Sequence, residues 1–372
     1  MNTGVLVVKI GSSTLTSANG KIDRAYVQNI ADQLGALKNA GWSPIVVSSA
    51  AISSGLEALG ITKRPSDVPS LQAAASVGQC ALANVYANAF AKHDIITSLV
   101  LLTRRDTADR TAYLHARDTF AKLLEMGVVP IVNENDTVSV EQIKFGDNDT
   151  LAALVACLVG ASKVVILSDV DGLYDANPAT NTNAHLLKVV EHIDSSVLNI
   201  AGGSTTTMGS GGMVTKIKAA RVLMAAGIPM HICNGRERDC VLRICEGEHV
   251  GTFFEASSAP HEITAKKLWI ALGDSVKGAV IVDEGAKRAL ERRGSSLLPV
   301  GIKCVEGSFD AGDIVDVKDE TGYIFARGHV SASSDEVALG CGRSQEELLA
   351  NRLLAPLAER PVMHRDELIV FE

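Results

Sequence analysis

Between Asn133 and Thr150 the chain reads NENDTVSVEQIKFGDNDT, gathering carboxylates and amides into two clusters, Asn133-Glu134-Asn135-Asp136 and Asp147-Asn148-Asp149. Asn and Asp start turns, and any one of Asp147, Asn148 or Asp149 would cap a following helix. A cap needs only one of them, so the density of polar groups favours a ligand site over turn chemistry alone. Two lysines belong to the same chemistry. Lys9 lies inside the apolar run Val5-Leu6-Val7-Val8-Lys9-Ile10, just before Gly11-Ser12-Ser13. A lysine in a buried strand is rare unless paired or functional, the plain alternative being a side chain that snorkels from the strand end. Lys216 follows the glycine-rich stretch Gly209-Ser210-Gly211-Gly212-Met213-Val214-Thr215. Backbone N–H groups of such a loop at a helix N-terminus cradle phosphate while the lysine adds charge. The stretch matches neither G-x-x-x-x-G-K-[ST] nor G-x-G-x-x-G, and a plain loop accounts for the same composition.

No histidine sits in these clusters, and no zinc spacing or Ser-His-Asp arrangement stands out. That fits a kinase whose acceptor is a carboxylate. A carboxylate of pKa about 4.3 is already ionised at neutral pH and needs no general base. It needs alignment of two anions and cationic stabilisation of the group in transit. A phosphate acceptor would be repelled by the acidic clusters.

The elements that must position these residues alternate strand and helix. Apolar runs at Val5–Ile10, Pro44–Ser48, Ile95–Leu102, Val128–Val132, Lys163–Ser168 and Ile228–Cys233 read as strands. Periodic segments at Asp23–Ala40, Leu71–Lys92, Ala112–Glu125, Leu151–Val159 and Lys216–Ala226 read as helices, and Thr137–Lys144 as a short alternating hairpin. This order predicts a three-layer αβα sandwich around a mainly parallel open sheet, whose ligands bind beyond the carboxyl ends of the strands. After a linker-like change near Ala256–Pro260, short β signals from Ala279 to Arg327 and a helix over Asp283–Arg292 predict a small β-rich domain. The basic residues Lys287, Arg288, Arg292 and Arg293 read as one solvated helix face.

Of the 372 residues, 47% are hydrophobic and only 4% aromatic, with 32 glycines, a profile suited to an α/β protein. The net charge of −8 argues against a general nucleic-acid binder. No apolar run is long enough to span a membrane, and the first strand is too short for a signal peptide. Seven cysteines without a C-x-x-C read as reduced thiols, so the expected compartment is the cytoplasm.

Taken in order, Val7-Val8-Lys9-Ile10-Gly11-Ser12-Ser13, Val47-Ser48-Ser49, Asn133–Asp136, Gly146–Asp149, Ser168-Asp169 and Gly209–Lys216 resemble the amino acid kinase family. Within it they resemble the branch that acts on L-glutamate. Val282-Asp283-Glu284-Gly285 and Gly294–Pro299 resemble a PUA domain, so the resemblance covers nearly the whole chain. It implies a kinase domain over 1–258, a linker over 259–276 and a PUA-like domain over 277–372. It implies ATP-dependent phosphorylation of the glutamate side-chain carboxylate, the first step of proline biosynthesis. Lys9, Lys216 and Asp149 would be catalytic, with Asp149 holding the lysines. Ser49, Asp136 and Asn148 would bind glutamate. Lys9, Gly11, Ser168, Asp169 and Ser210, Gly211, Gly212, Met213, Val214, Thr215 and Lys216 would line the ATP site. Mg²⁺ would come bound to ATP, with no metal site built by the protein. Proline as feedback inhibitor and a dimer or tetramer are implied as well. A kinase of another small carboxylate, or an RNA-binding protein acting through the PUA-like domain, are the alternatives. One departure is local: the family usually has Ser-Gly-Ala where this chain has Ser49-Ala50-Ala51. If the backbone there has positive φ, Ala50 stores roughly 1–2 kcal/mol; if not, its methyl narrows the substrate site.

Overall fold

The computed structural model describes residues 3–17, 20–103, 109–138, 148–202, 212–257, 265–272, 276–352 and 354–371. The hairpin expected over 137–144 and the residues Asp147, Ser210 and Gly211 fall wholly or largely outside that set. The chain divides into two compact units, 1–260 and 261–372.

The first unit is built on an eight-stranded sheet of order β3-β4-β2-β1-β5-β7-β8-β6. Its strands are β1 (Val5–Ile10), β2 (Ser43–Ser48), β3 (Thr97–Leu102), β4 (Val129–Glu134), β5 (Lys163–Ser168), β6 (Val189–Val190), β7 (Met230–Asn234) and β8 (Thr252–Phe254). From β3 through β7 every neighbouring pair is parallel; β8 pairs antiparallel with β7, and β6 pairs parallel with β8. The connecting helices are α1 (Ser12–Leu15), α2 (Arg24–Asn39), α3 (Ala51–Ala58), α4 (Val68–Ala91), α5 (Arg110–Glu125), α6 (Asn148–Val159), α7 (Ser195–Gly202), α8 (Met213–Ala225) and α9 (Cys240–Glu246). Helices α2, α3, α4 and α9 form one packed layer and α5, α6 and α8 the other.

Side-chain alternation along β1 decides the rest. Leu6, Val8 and Ile10 join Val27, Ile30, Leu34, Leu82 and Phe90 in the core beneath α2 and α4. Period two then turns Val7 and Lys9 to the opposite face, toward α6 and α8. Helix α6 is apolar nearly all round and buried along its length, as its position between sheet and neighbouring helices demands.

In the second unit, α10 (Ala265–Leu272) is followed by β9 (Val276–Val282), α11 (Glu284–Arg293), β10 (Ile302–Gly307), β11 (Ile314–Lys318), β12 (Ile324–His329) and β13 (Leu368–Val370). The strands form one sheet of order β10-β9-β11-β12-β13. Helix α10 lies within the stretch expected as linker, yet it packs on β12 and β13, and Arg327 Nη1 donates to its Ala271 carbonyl at 3.2 Å. The basic face of α11 is partly neutralised within this unit. Lys287 pairs with Asp319 at 2.7 Å and Arg288 with Glu284 at 3.4 Å. Among the described residues no helix is long and apolar enough to cross a membrane, and all seven cysteines are free thiols.

Candidate active site

The carboxyl ends of β1, β2, β4 and β5 are neighbours in the sheet, so the residues just past them converge. At the centre is Asp149, fully buried in the first turn of α6. Its Oδ1 lies 2.6 Å from Lys9 Nζ and its Oδ2 lies 3.2 Å from Lys216 Nζ. Thr215 Oγ1 also donates to Oδ2, at 2.8 Å. Both lysines are buried, at 4% and 5% exposure. Burial pushes the Asp149 carboxyl up, but Lys9 and then Lys216 outweigh it and hold the group well below the usual carboxylate range. Two ammoniums gathered beside one carboxylate suit an incoming anion better than an apolar or cationic ligand.

Asn148 and Asp149, adjacent in sequence, were open to reading as caps; both are inside the helix. Successive helical positions point about 100° apart, which sends their side chains to different partners. Asn148 Nδ2 donates to the Ser48 carbonyl at 2.6 Å, to Ser49 Oγ at 3.1 Å and to Asn133 Oδ1 at 3.1 Å. The first turn of α6 thus meets the lysine cluster on one side and a group of amides and hydroxyls beyond β2 and β4 on another. Asp136, two residues past β4, is buried and has no side-chain hydrogen bond or ion pair among the described residues. Burial pushes its carboxyl up to about 6. Sequence reasoning passed over Gln79 and Tyr86 of α4, both buried in this wall. Tyr86 meets Ser48 Oγ at 2.9 Å, and Gln79 meets Asn133 and Glu134. Neither carried a signal, because each lies in an Ala-rich helix whose polar residues ordinarily face solvent.

The backbone between β2 and α3 settles the question raised by Ala50. Its φ is +70°, in the left-handed region, and it serves as the N-cap of α3. Glycine is favoured there for its backbone freedom, and the Ala50 methyl packs against the core beneath α2 and α4. Ala50→Gly is expected to stabilise the protein by about 1 kcal/mol. Its kcat/KM for the amino-acid substrate should stay within about threefold of wild type, a difference under 1 kcal/mol. Urea denaturation and steady-state kinetics on the two proteins check both statements; a tenfold kinetic change without a stability gain would put the methyl in the substrate's way instead.

On the other side of Lys9, Gly11 stands where β1 meets α1. A Cβ there would lie 3.7 Å from Lys9 Nζ and 3.4 Å from the Leu167 carbonyl oxygen, ordinary van der Waals contact. The Gly11 N–H donates to the Leu167 carbonyl at 3.1 Å and is therefore not a phosphate-binding N–H. Ser168 ends β5, buried, and its hydroxyl donates to the exposed Asp169 at 3.1 Å. Gly212, Met213, Val214, Thr215 and Lys216 form the N-cap and first turn of α8, with Val214 at 45% exposure. The loop before them, Ser210 and Gly211 included, lies outside the described residues. Arg236, which the sequence did not single out, ties this edge together. Its guanidinium donates to Asp23 at 2.7 Å and to the Thr14 carbonyl at 2.9 Å, and lies 4.6 Å from the Tyr26 ring centre.

Comparison with known proteins agrees with this geometry. The amino acid kinase family model matches residues 4–234 and the PUA domain model residues 278–350. The glutamate 5-kinase of Caldanaerobacter subterraneus subsp. tengcongensis is 44% identical over 367 residues, covering 99% of this chain and 98% of its own. The glutamate 5-kinase of Azoarcus sp. is 44% identical over 365 residues, covering 98% and 97%. That of Methylobacillus flagellatus is 42% identical over 370 residues, covering 100% and 98%. With its lysine–aspartate cluster at the sheet edge and relatives matching over both units, the chain belongs to the amino acid kinase family, in the glutamate 5-kinase branch with a carboxyl-terminal PUA domain.

Proposed function

We propose that this protein transfers the γ-phosphoryl group of ATP to the side-chain carboxylate of L-glutamate, giving L-glutamyl 5-phosphate and ADP, the first committed chemistry of proline synthesis. The observation that carries the reading is the buried pair of ammoniums on Asp149, adjoining a pocket of amides and a carboxylate. A γ-carboxylate oxygen attacks the γ-phosphorus in line, the bond to the bridging β–γ oxygen breaks, and ADP leaves. No proton is transferred, so the site needs no base. Lys9 and Lys216 supply positive charge where the equatorial oxygens gather it, and Asp149 fixes both in place before substrate arrives.

The two ends of glutamate call for opposite groups. Ser49 Oγ accepts from Asn148, which leaves its hydrogen to donate to a carboxylate. Asp136 receives the ammonium. ATP lies over Gly11, Ser168, Asp169 and the start of α8; Ser210 and Gly211, assigned to the same site, lie outside the described residues. Mg²⁺ would come held on the ATP phosphates and would supply shielding of their charge, while Asp149, whose two oxygens pair with Lys9 and Lys216, is assigned to holding the lysines. A cytoplasmic location fits seven free cysteines. Homo-oligomerisation and feedback by proline belong to the same reading, with the second unit assigned to assembly or regulation.

An ADP-release assay across the amino acids tests the assignment: glutamate is expected to be the preferred acceptor, and a clear preference for another amino acid overturns it. Asp136 gives a pH signature. Its folded pKa lies above the unfolded 3.8, so the stability it contributes is full below the unfolded value and is lost as pH rises through about 6. Ionised Asp136 is thus a liability of the empty site that an ammonium relieves. The value of kcat/KM for glutamate should fall about tenfold per pH unit below about 6, and Asp136→Asn should flatten that limb while raising KM. It should also be more stable than wild type at pH 7 and above. A pH profile unchanged in Asp136→Asn assigns the ammonium to another residue.

A further inference from the structure

Gln79 is buried at 5% exposure in the middle of α4, far in sequence from every residue placed in the site. It reaches the site because α3 and α4 cross with their backbones nearly in contact. A Cβ on Gly78 would lie 1.7 Å from the Ala51 carbonyl oxygen, and one on Gly55 1.7 Å from that of Ala74. From that position Gln79 Nε2 donates to the Glu134 carbonyl at 3.1 Å, and its Oε1 accepts from Asn133 Nδ2 at 3.2 Å. Asn133 Oδ1 in turn accepts from Asn148 Nδ2 at 3.1 Å and from the Glu134 N–H at 2.9 Å.

The direction of this chain is fixed at both ends. A backbone carbonyl only accepts, so the Gln79 atom facing Glu134 O must be nitrogen. Its oxygen must then face Asn133, whose nitrogen must face Gln79, and whose oxygen must face Asn148. At the far end the Ser48 carbonyl independently requires the Asn148 nitrogen. All three amides therefore run one way, and none turns over without breaking its neighbours. The nitrogen of Asn148 is thereby committed to protein acceptors, and Ser49, whose oxygen accepts from it, is left to donate its own hydrogen elsewhere. We infer that Gln79 is a positioning residue: through Asn133 it sets the amide orientation of Asn148 and the hydroxyl direction of Ser49, and so the donor–acceptor pattern read by the amino-acid substrate. This rests on the assignment of Asn148 and Ser49 as glutamate ligands.

The test uses the full chain and steady-state kinetics with glutamate and ATP varied separately. Gln79→Met keeps the length of the side chain and removes both hydrogen bonds. It is expected to raise KM for glutamate about tenfold while kcat and KM for ATP stay within about twofold. A role in packing alone would move all three with stability. Because Gln79 acts through Asn133, adding Gln79→Met to Asn133→Ala should worsen KM no more than about twofold. Should Gln79→Met not fold, Gln79→Leu, which likewise removes the acceptor toward Asn133 and the donor toward the Glu134 carbonyl, takes its place under the same criteria. A folded variant with KM for glutamate within twofold of wild type, or single effects that multiply in the double variant, overturns the inference. Wild-type protein that prefers another amino acid overturns the functional assignment separately, and the relay is then judged on the KM of that acceptor.

Discussion

Replacing Lys216 or Lys9 with alanine is expected to lower kcat by about 10²–10³, the 3–4 kcal/mol typical of losing one preorganised group on a developing negative charge. Either change leaves Asp149 with a single ammonium partner, 2.6 Å away when Lys9 remains and 3.2 Å away when Lys216 does. The remainder is a neutral pair, so the positive charge presented to the phosphoryl group falls sharply while the fold keeps a compensated carboxylate. Since buried charge without a partner is what destabilises most, the fold should tolerate these changes better than Asp149→Asn, which strands two ammoniums together. With Asn148, Ser49 and Asp136 proposed as the groups that hold glutamate, its KM should change only a few-fold. Arginine should not restore activity at either position, because a planar guanidinium cannot occupy the place of a compact ammonium between β1, α6 and α8. Steady-state kinetics with a thermal melt for each variant decides this. Turnover within threefold of wild type, with only a raised KM, would make the lysines binding groups and move catalysis elsewhere.

Lys9 stood out in the sequence because a charge in an apolar strand has to be compensated, and period two sends it to the face opposite Leu6, Val8 and Ile10. The sheet was legible on the same grounds, since six parallel apolar runs separated by periodic helices leave few arrangements. Asn148 and Asp149 stood out in the sequence as candidate site residues but not as neighbours with different partners; that division comes from their place in the first turn of α6, and helix boundaries are poorly marked where Asn and Asp also suit a cap. Ala50 gave no local sign of its left-handed backbone, because only glycine or asparagine advertises one. Gln79 was invisible for a different reason. Its function depends on how closely α3 approaches α4, a tertiary quantity, and nothing in GQCALAN distinguishes a glutamine on a buried face from one on a solvated face. The pairing of Lys287 with Asp319 likewise needed the fold, as the two stand on different elements of the second unit.

That close approach makes Gly78 a sensitive position beside the proposed glutamate site. Gly78→Ala places a methyl 1.7 Å from the Ala51 carbonyl oxygen and 2.6 Å from the Gly55 nitrogen, both backbone atoms that no rotamer change can move aside. The reciprocal contact, from Gly55 to the Ala74 carbonyl, leaves no slack on the other helix. To regain ordinary contact α3 and α4 must separate by about 1.5 Å or more. Overpacking of this kind costs typically 1–3 kcal/mol, and here the upper end or beyond is expected because backbone must shift against backbone. The displaced end of α3 begins at Ala51, directly after Ser49 and Ala50, so the movement carries Ser49 Oγ away from Asn148. It also draws Gln79 back from Asn133 and Glu134. Misplacement of about 1 Å is enough to cost on the order of 10² in rate, and it falls on the glutamate side only. The expected result is a lower urea midpoint and a kcat/KM for glutamate reduced about a hundredfold, with KM for ATP within a few-fold of wild type. Gly78→Ala with unchanged stability would show that the two helices do not meet as closely as their glycines imply, and the positioning role of Gln79 would lose its structural basis with it.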